Sequence, residues 1–519
     1  MRLSLSTGGV ARHCRSDLRS KLVALNQIFG HLSPITGLDS KTDHATRFGG
    51  GSHGGVVGLQ QPSEAAAAGD SARLDLPDAD SPARTGRAGR SRMTPADGRG
   101  GAYDDGTRRT EILQTAASLI ASSGLRTSLQ EIADAAGILP GSLYHHFESK
   151  EAILVELVRR YYADLDRIGE IAHERLDKPD ARSAADEIVE LGSAIARCAV
   201  QHRAALQMSF YEAPSANPEL VELLQTPPTA VQDAMLQTLR AGKWSGYIRS
   251  DIDLPTLADR ICQTMMHVGL DIIRHTAPAD QTALVLCRIM LHGLAARPAS
   301  DRELDGSPAF AAAEAAIKTW SAENESDAND KAAHVRAVAR AEFGRKGYEV
   351  TTIRDIASAA GLGTGTVYRL IGSKDELLAS IMESFGKKAG GGFAAVLRTD
   401  ATPVEKLDAL SWVNINALDQ FPDEWKIQLA WMRQSPPDTP NPGVAFIMRL
   451  RQLRALLSEG IQSGDIRIED PPSLAMLSRC VMDILWMPEN IVRAQGKHAA
   501  LVNARDTVVR GVVDRGRRK

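Results

Sequence analysis

Aromatic side chains are scarce in this 519-residue chain, at 5%, which argues against an aromatic-rich secreted or sugar-binding protein. Cysteine is scarcer still, and Cys14, Cys198, Cys262, Cys287 and Cys480 are scattered with no CxxC pair. A disulfide framework or a zinc site needs clustered or paired thiols, so these read as buried free thiols of a reducing cytosol. No run of about 18 apolar residues occurs, so no segment reads as a membrane-spanning helix. Neither sign of charge is in excess: 61 basic residues face 64 acidic ones, a net of −3. That balance excludes a histone-like polybasic binder for the whole chain, but not a local basic face. The N-terminus, MRLSLSTGGVARHCRSDLRSK, is Arg- and Ser-rich like a transit peptide but lacks a signal-peptide apolar core and cleavage site.

What is present is ordinary in amount and uneven in distribution. Hydrophobic residues make up 43% of the chain and charged ones 24%, a globular composition at three to four times the length of a typical domain of about 100–200 residues. The first hundred residues hold 15 of the 43 glycines, including Phe48-Gly-Gly-Gly-Ser-His-Gly-Gly. Such a stretch buries too little apolar surface to offset its ordering entropy, and residues 1–104 are expected to be a disordered leader with at most one short helix over Leu18–Leu32. The basic piece Arg84 to Arg92 reads as a flexible nucleic-acid arm or as a solubilising tail, and translation beginning at Met93 is a third reading. From Thr107 onward apolar residues recur at helical spacing, as in Ile112, Ala116, Leu119 and Ile120. No succession of alternating strands is found, so the fold class is all-α.

The later chain repeats itself. Thr127 to Leu154 reads TSLQEIADAAGILPGSLYHHFESKEAIL, and Thr351 to Leu378 reads TTIRDIASAAGLGTGTVYRLIGSKDELL, aligned without a gap at a spacing of 224. A second echo pairs Gly242-Lys-Trp-Ser-Gly-Tyr-Ile-Arg249 with Gly460-Ile-Gln-Ser-Gly-Asp-Ile-Arg467 at a spacing of 218. The repeat is therefore a whole domain rather than a short motif. Between the copies, 297–330 is acidic and Ala-rich and reads as a linker, with room for a short helix over Ala309–Trp320.

Each copy spells a helix-turn-helix. Thr352 caps a short helix carrying Ile353, Ile356, Ala357 and Ala360 inward, and Gly361 ends it at a tight turn. A second helix then carries Thr366, Val367, Tyr368 and Arg369, with small alanines allowing the close crossing this motif needs. Ser373-Lys-Asp-Glu376 is a capping box opening the next long helix. The first copy repeats this with Ser128, Ile132, Gly137 and Ser149, and Pro140 stands where a missing N–H is harmless.

The pattern Ile-Ala-x-x-Ala-Gly-x-x-x-Gly-Ser/Thr-Leu/Val-Tyr, followed by Ser-Lys-Asp/Glu, resembles the DNA-binding headpiece of TetR-family transcriptional regulators. Gly137-Ile-Leu-Pro-Gly-Ser-Leu-Tyr-His-His-Phe147 is similar in wording to the branch controlling steroid and fatty-acid catabolism in actinobacteria. The resemblance implies that the second helix of each motif enters the major groove. It places Ser142, Tyr144 and His145, and Thr366, Tyr368 and Arg369, on the base-facing side. Thr127, Ser128, Thr351 and Thr352 would offer hydroxyls and helix N-terminal amides to phosphate, and Lys150 and Lys374 match the family's phosphate-contacting lysine. Packing is the competing role for Tyr144 and Tyr368. The copies differ: from 107 to 150 four basic residues face four acidic ones, while from 331 to 374 eight face three. The second copy has Leu370-Ile371 where the family has His-Phe, and Gly363 where a Ser cap is common. The first is one residue shorter between Gly124 and Thr127.

The resemblance also implies a helical effector and dimerisation body after each headpiece, giving headpieces at 105–150 and 331–374 and bodies at 151–296 and 375–515. Tyr161, Phe210, Tyr211, Met265, Met266 and His267 are effector-lining candidates in the first body, and Trp412, Trp425, Trp431, Phe446 and Trp486 in the second. At helical spacing such residues also read as plain core. The implied effector is acyl-CoA-like or another small hydrophobic molecule; no cofactor or metal is implied. Pairing is expected through Leu254–His275 with Thr282–Leu294, and Ser473–Arg493 with Ala499–Val513, as a single-chain pseudo-dimer on double-stranded operator DNA, with homodimerisation as the other possibility. A flexible linker of this length would average roughly 30 Å and hold the copies near millimolar effective concentration. The expected function is a ligand-responsive repressor working in the bacterial cytoplasm at the nucleoid. A non-catalytic interaction protein with degenerate headpieces is the alternative. Gly361-Leu-Gly-Thr-Gly-Thr366 is no dinucleotide loop, because it follows a helix and lacks a preceding strand.

Overall fold

The apolar stripes of the sequence become helices that share one hydrophobic core running through both copies, with a smaller apolar cluster around Ile415, Ile491 and Leu501. The computed structural model describes residues 101–517 apart from 177, 179–181, 210–216, 227–228, 276–277, 327–329 and 434–443. The expected disorder of the leader concerns residues outside that range, except that α1 (Gly101–Ser123) starts a few residues before the expected boundary. Among the described residues no helix is long and apolar enough to cross a membrane.

In the first copy α1, α2 (Leu129–Ala135) and α3 (Pro140–His146) form the headpiece. The long α4 (Lys150–Leu176) leads away from it, burying Ile153, Leu154, Leu157, Val158, Tyr161 and Leu165 along one side. The body continues with α5 (Ala184–Gln201), α6 (Arg203–Met208), α7 (Pro218–Gln225), α8 (Ala230–Trp244), α9 (Leu254–His275) and α10 (Ala279–His292). Its centre is α5, which packs on α4, α8, α9 and α10. Ile188, Leu191, Ile195, Ala196 and Ala199 of α5 are wholly buried, and each large aliphatic side chain there contributes about 1.5–3 kcal/mol.

The stretch expected to be a flexible linker is instead part of the second body. It folds as α11 (Asp301–Asp305) and α12 (Pro308–Ser326), and α12 packs on two helices of the second copy. Alanine-rich composition reads as spacer, yet alanine is the strongest helix former. Ala309, Ala313, Ile317 and Trp320 fall on one helical stripe and are buried. Asp301 and Asp305 of α11 both ion-pair with the buried Arg505, which Asp408 also holds at 2.9 Å.

The second headpiece is α13 (Lys331–Lys346), α14 (Ile353–Ala359) and α15 (Thr364–Ile371), followed by α16 (Lys374–Leu397), α17 (Pro403–Gln420), α18 (Pro422–Arg433) and α19 (Val444–Ser463). The expected single helix over Ser473–Arg493 is broken into α20 (Leu474–Ile484) and α21 (Glu489–Gln495). Pro488 lies between them; it cannot donate a helical hydrogen bond, and it disfavours the helical conformation for Met487. After α22 (Lys497–Ala504) a π-helical turn covers Arg505–Arg510, and Gly511 ends it.

The copies meet in a seam of backbone hydrogen bonds that obeys the 218-residue spacing. Arg249 N–H donates to Val512 O and Arg467 N–H to Leu294 O, both at 2.9 Å. Ala295 N–H donates to Val509 O, and Val513 N–H to Leu291 O, again both at 2.9 Å. Asp514 N–H reaches Tyr247 O and Ala296 N–H reaches Asp465 O. Residue i of one copy contacts j of the other, and the counterparts of i and j make the reciprocal contact, which is the signature of a two-fold relation. Gly293 and Gly511 face each other at its centre with φ of +67° and +77°, and a Cβ on either would run into the other's backbone. Beside this ribbon, buried Arg260 of α9 donates to Ile484 O at 2.7 Å, and His267 packs on Trp486 with ring centroids 4.0 Å apart.

Candidate nucleic-acid interface

Both headpieces are built by the same local rules. Ser128 and Thr352 are N-caps of α2 and α14, and each closes a capping box, with Glu131 and Asp355 respectively. Those hydrogen bonds hold both carboxyls below the usual carboxylate range. Gly137 and Gly361 take φ of +66° at the turn, where a side chain would be strained. Ile132, Ala133 and Leu143 in one copy, and Ile356, Ala357 and Val367 in the other, lock the two short helices onto α1 or α13.

The outward faces carry the expected tyrosines. Tyr144 is 54% exposed and Tyr368 is 55% exposed, so neither serves as core. His145 and Arg369 are exposed beside them, and Ser142 and Thr366 are half-buried one turn earlier. Leu139, the N-cap of α3, is 78% exposed; it stands at the place of Gly363, and its apolar character gave no sequence signal for a surface role.

Thr127 and Thr351 depart from expectation. Both are buried, and their hydroxyls donate to the Gly124 and Gly347 carbonyls at 2.9 and 2.7 Å. They close the turn before α2 and α14 instead of presenting a hydroxyl outward. Lys150 and Lys374 are half-buried, and each Nζ donates to a carbonyl 25 residues earlier, Leu125 O and Glu349 O. Burial lowers the Lys150 ammonium below its ordinary value. Lys374 is pushed down to about 8, by burial first and then by the charge of Arg126 from the other headpiece. Its Nζ also lies 4.3 Å from the centre of the Tyr348 ring, whose hydroxyl donates to Asp375.

The charge difference between the headpieces is sharper in space than in composition. In the first, Arg108 reaches Glu111 and Ala136 O, and Arg109 reaches His146 O while lying over the Phe147 ring. Exposed Arg126 was missed as a functional candidate because nothing in its spacing marks it. In the second, Arg345 and Lys346 share Glu342, and Arg340 ties α13 to Glu424 of α18, whereas Arg354 and Arg369 have no ion-pair partner among the described residues.

Comparison with known proteins fits this geometry. The family model described as bacterial regulatory proteins, tetR family, matches twice, at residues 112–157 and 335–381. A transcriptional repressor of Rhodococcus jostii, KstR2, is 36% identical over 199 residues, covering 36% of this chain and 91% of the relative. The chain belongs to the TetR family.

It is a TetR-type DNA-binding transcriptional regulator with two headpieces on one chain. The KstR2 repressor of Mycolicibacterium smegmatis is 33% identical over 151 residues, 28% of this chain and 71% of that protein. A solved structure of the ketosteroid transcriptional regulator KstR2 of Mycobacterium tuberculosis is 27% identical, covering 34% of this chain and 89% of that one, with a TM-score of 0.28. TetR regulators bind operator DNA and usually dimerise, and the relatives matched are transcriptional regulators.

The effector candidates of a TetR body do not converge here. Tyr161 is buried and its hydroxyl has no hydrogen-bond partner among the described residues; its ring packs beside His202. Met265 is buried and Met266 is partly buried against the same core. His267 and Trp486 meet on the seam instead of lining a body interior. Trp412 stacks on Phe310 and donates its indole N–H to Glu314, so it docks α12. Trp425 meets Phe385 edge-on. Phe210 and Tyr211 lie outside the described residues, as do the side chains of Trp431 and Phe446.

Proposed function

We propose that this chain is a repressor that binds its operator as a single-chain pseudo-dimer, each copy supplying one headpiece. The observation that carries this reading is the reciprocal backbone seam between the copies, which relates the two headpieces as the two subunits of a dimeric regulator would be related. Ser142, Tyr144 and His145, with Thr366, Tyr368 and Arg369, are the proposed base-facing set. Ser128, Thr352, Lys150 and Lys374 are the proposed phosphate-side set, the lysines acting once freed from their carbonyl partners. Because the headpieces carry different side chains and charges, the two half-sites need not be alike. The proposed domain plan is headpieces at 105–150 and 331–374 with bodies at 151–296 and 375–515, the second joined by α11 and α12.

The likeness to KstR2 repressors supports control of genes for steroid or lipid breakdown and a small hydrophobic or acyl-CoA-like effector, acting in the cytoplasm without enzymatic activity. Tyr161, with its unpartnered buried hydroxyl, is the first-body residue best placed to meet such an effector. Selection of bound fragments from genomic DNA, followed by gel shifts and sedimentation of the complex, tests this reading. One chain per operator, with specific binding weakened in both Tyr144→Ala and Tyr368→Ala, is expected. A complex containing two chains and four headpieces, or no sequence-specific shift at moderate salt, would overturn it.

A further inference from the structure

The two-fold relation of the seam makes each end of it a control for the other. At one end Arg249 is satisfied: it holds Asp251 and Asp506, both at 2.8 Å, and donates to Gly511 O at 2.9 Å. At the other end the 218-residue spacing puts Arg467 in the place of Arg249 and Arg288 in the place of Asp506. A carboxylate has been exchanged for a guanidinium. Glu469 keeps the place of Asp251, yet the Arg467 side chain has no ion-pair or hydrogen-bond partner among the described residues, and Arg288 reaches only exposed Asp470 at 3.8 Å. Such an exposed, long pair contributes little.

This second end is also hollow. A cavity of about 500 Å³ opens there, lined by Arg288, His292, Arg467 and Arg515 and floored by Leu294 and Val513, with Glu469 and Asp470 also in its wall. Arg515 donates to the His292 and Ala295 carbonyls, which fixes its guanidinium at the cavity wall. The volume is that of a small-molecule site, and cations converging on an apolar floor match an anion with an organic skeleton. Both copies contribute to it: Arg288 and His292 come from the first, Arg467 and Arg515 from the second.

We propose that this cleft binds a small organic anion, its carboxylate or phosphate group taken up by Arg288 and Arg467. The site lies on the seam between the two bodies, outside the interior of either, and is separate from the effector role proposed for those interiors. Its occupant bridges the two copies and completes the charge pairing that Asp506 provides at the opposite end.

Isothermal titration of the full chain with citrate and with pyrophosphate, at fixed ionic strength in excess chloride, tests the proposal. Saturable binding of one molecule per chain is expected, and the tighter probe distinguishes a carboxylate ligand from a phosphate one. Arg467→Ala should weaken binding at least about tenfold, the loss of charge-assisted hydrogen bonds. Arg288→Asp, which restores the arrangement of the closed end, should abolish it. Arg354→Ala, removing a headpiece charge, should leave it unchanged. No saturable heat with either probe, or equal affinity in wild type and Arg467→Ala, overturns the site. Arg467 is exposed, so its variant decides the matter even if Arg288→Asp fails to fold.

Discussion

Where the two copies touch each other their backbones are nearly alike, and in the side chains their headpieces expose they are not. The seam is written in backbone hydrogen bonds and a pair of facing glycines, which ask little of the side chains and so tolerate divergence. The headpieces share their capping boxes and turn glycines but differ in the groups they expose: Leu139 and His145 in one, Arg354 and Arg369 in the other. Scaffold geometry and recognition chemistry are therefore carried by different parts of the sequence, and one changes without the other.

The strongest way to break the alike region is Gly511→Val. Its side chain has no room against the His292–Gly293 backbone and must also adopt a positive φ, so thermal unfolding should show a loss of at least about 3 kcal/mol. An unchanged melting curve would mean that the seam does not hold the copies together. Next come the tyrosines: Tyr144→Ala and Tyr368→Ala should each lower specific DNA affinity by about 1–3 kcal/mol, read by gel shift. Equal losses would show that both headpieces read bases, and a loss in one alone would show a single reader. The charge contrast predicts that Arg369→Ala, which removes a cation of the second headpiece, reduces the salt slope of binding by about 1, while Leu139→Ala, which removes no charge, leaves it unchanged. The smallest effect concerns pH. Lys374 is held down to about 8 by burial and by Arg126, so as pH rises from 7 to 9 it loses its charge and DNA affinity should fall a few-fold. Lys374→Arg should remove that dependence. The sign for folding is opposite: the unfolded lysine stays protonated to near its ordinary value of about 10.4, so this group's contribution to stability rises with pH across that window.

The headpieces were the most legible part, because caps, turn glycines and small crossing residues are local devices with fixed spacing. The seam was half visible: the echo ending in Arg249 and Arg467 marked the repeat, but nothing in the linear sequence said that each arm pairs with the segment that ends the other copy. The burial of Thr127 and Thr351 was hidden, since a threonine before a cap reads the same whether its hydroxyl turns inward or outward. The helix of α12 is legible over Ala309–Trp320, but its alanine-rich composition does not announce that the stripe of Ala309, Ala313, Ile317 and Trp320 packs on the second copy. His267 and Trp486 were assigned to separate bodies because an aromatic stripe does not say which neighbour covers it.

The docking of α11 and α12 has a consequence for dosage. A regulator assembled from separate subunits loses its active form as the square of concentration when the cell carries few copies, and it can exchange subunits with relatives made alongside it. Here the connecting segment is itself packed into the fold, with Trp320 buried and Arg505 clasping Asp301 and Asp305. On the single-chain reading proposed above, operator occupancy would follow the first power of the number of molecules, and the unequal copies would always meet in a one-to-one ratio.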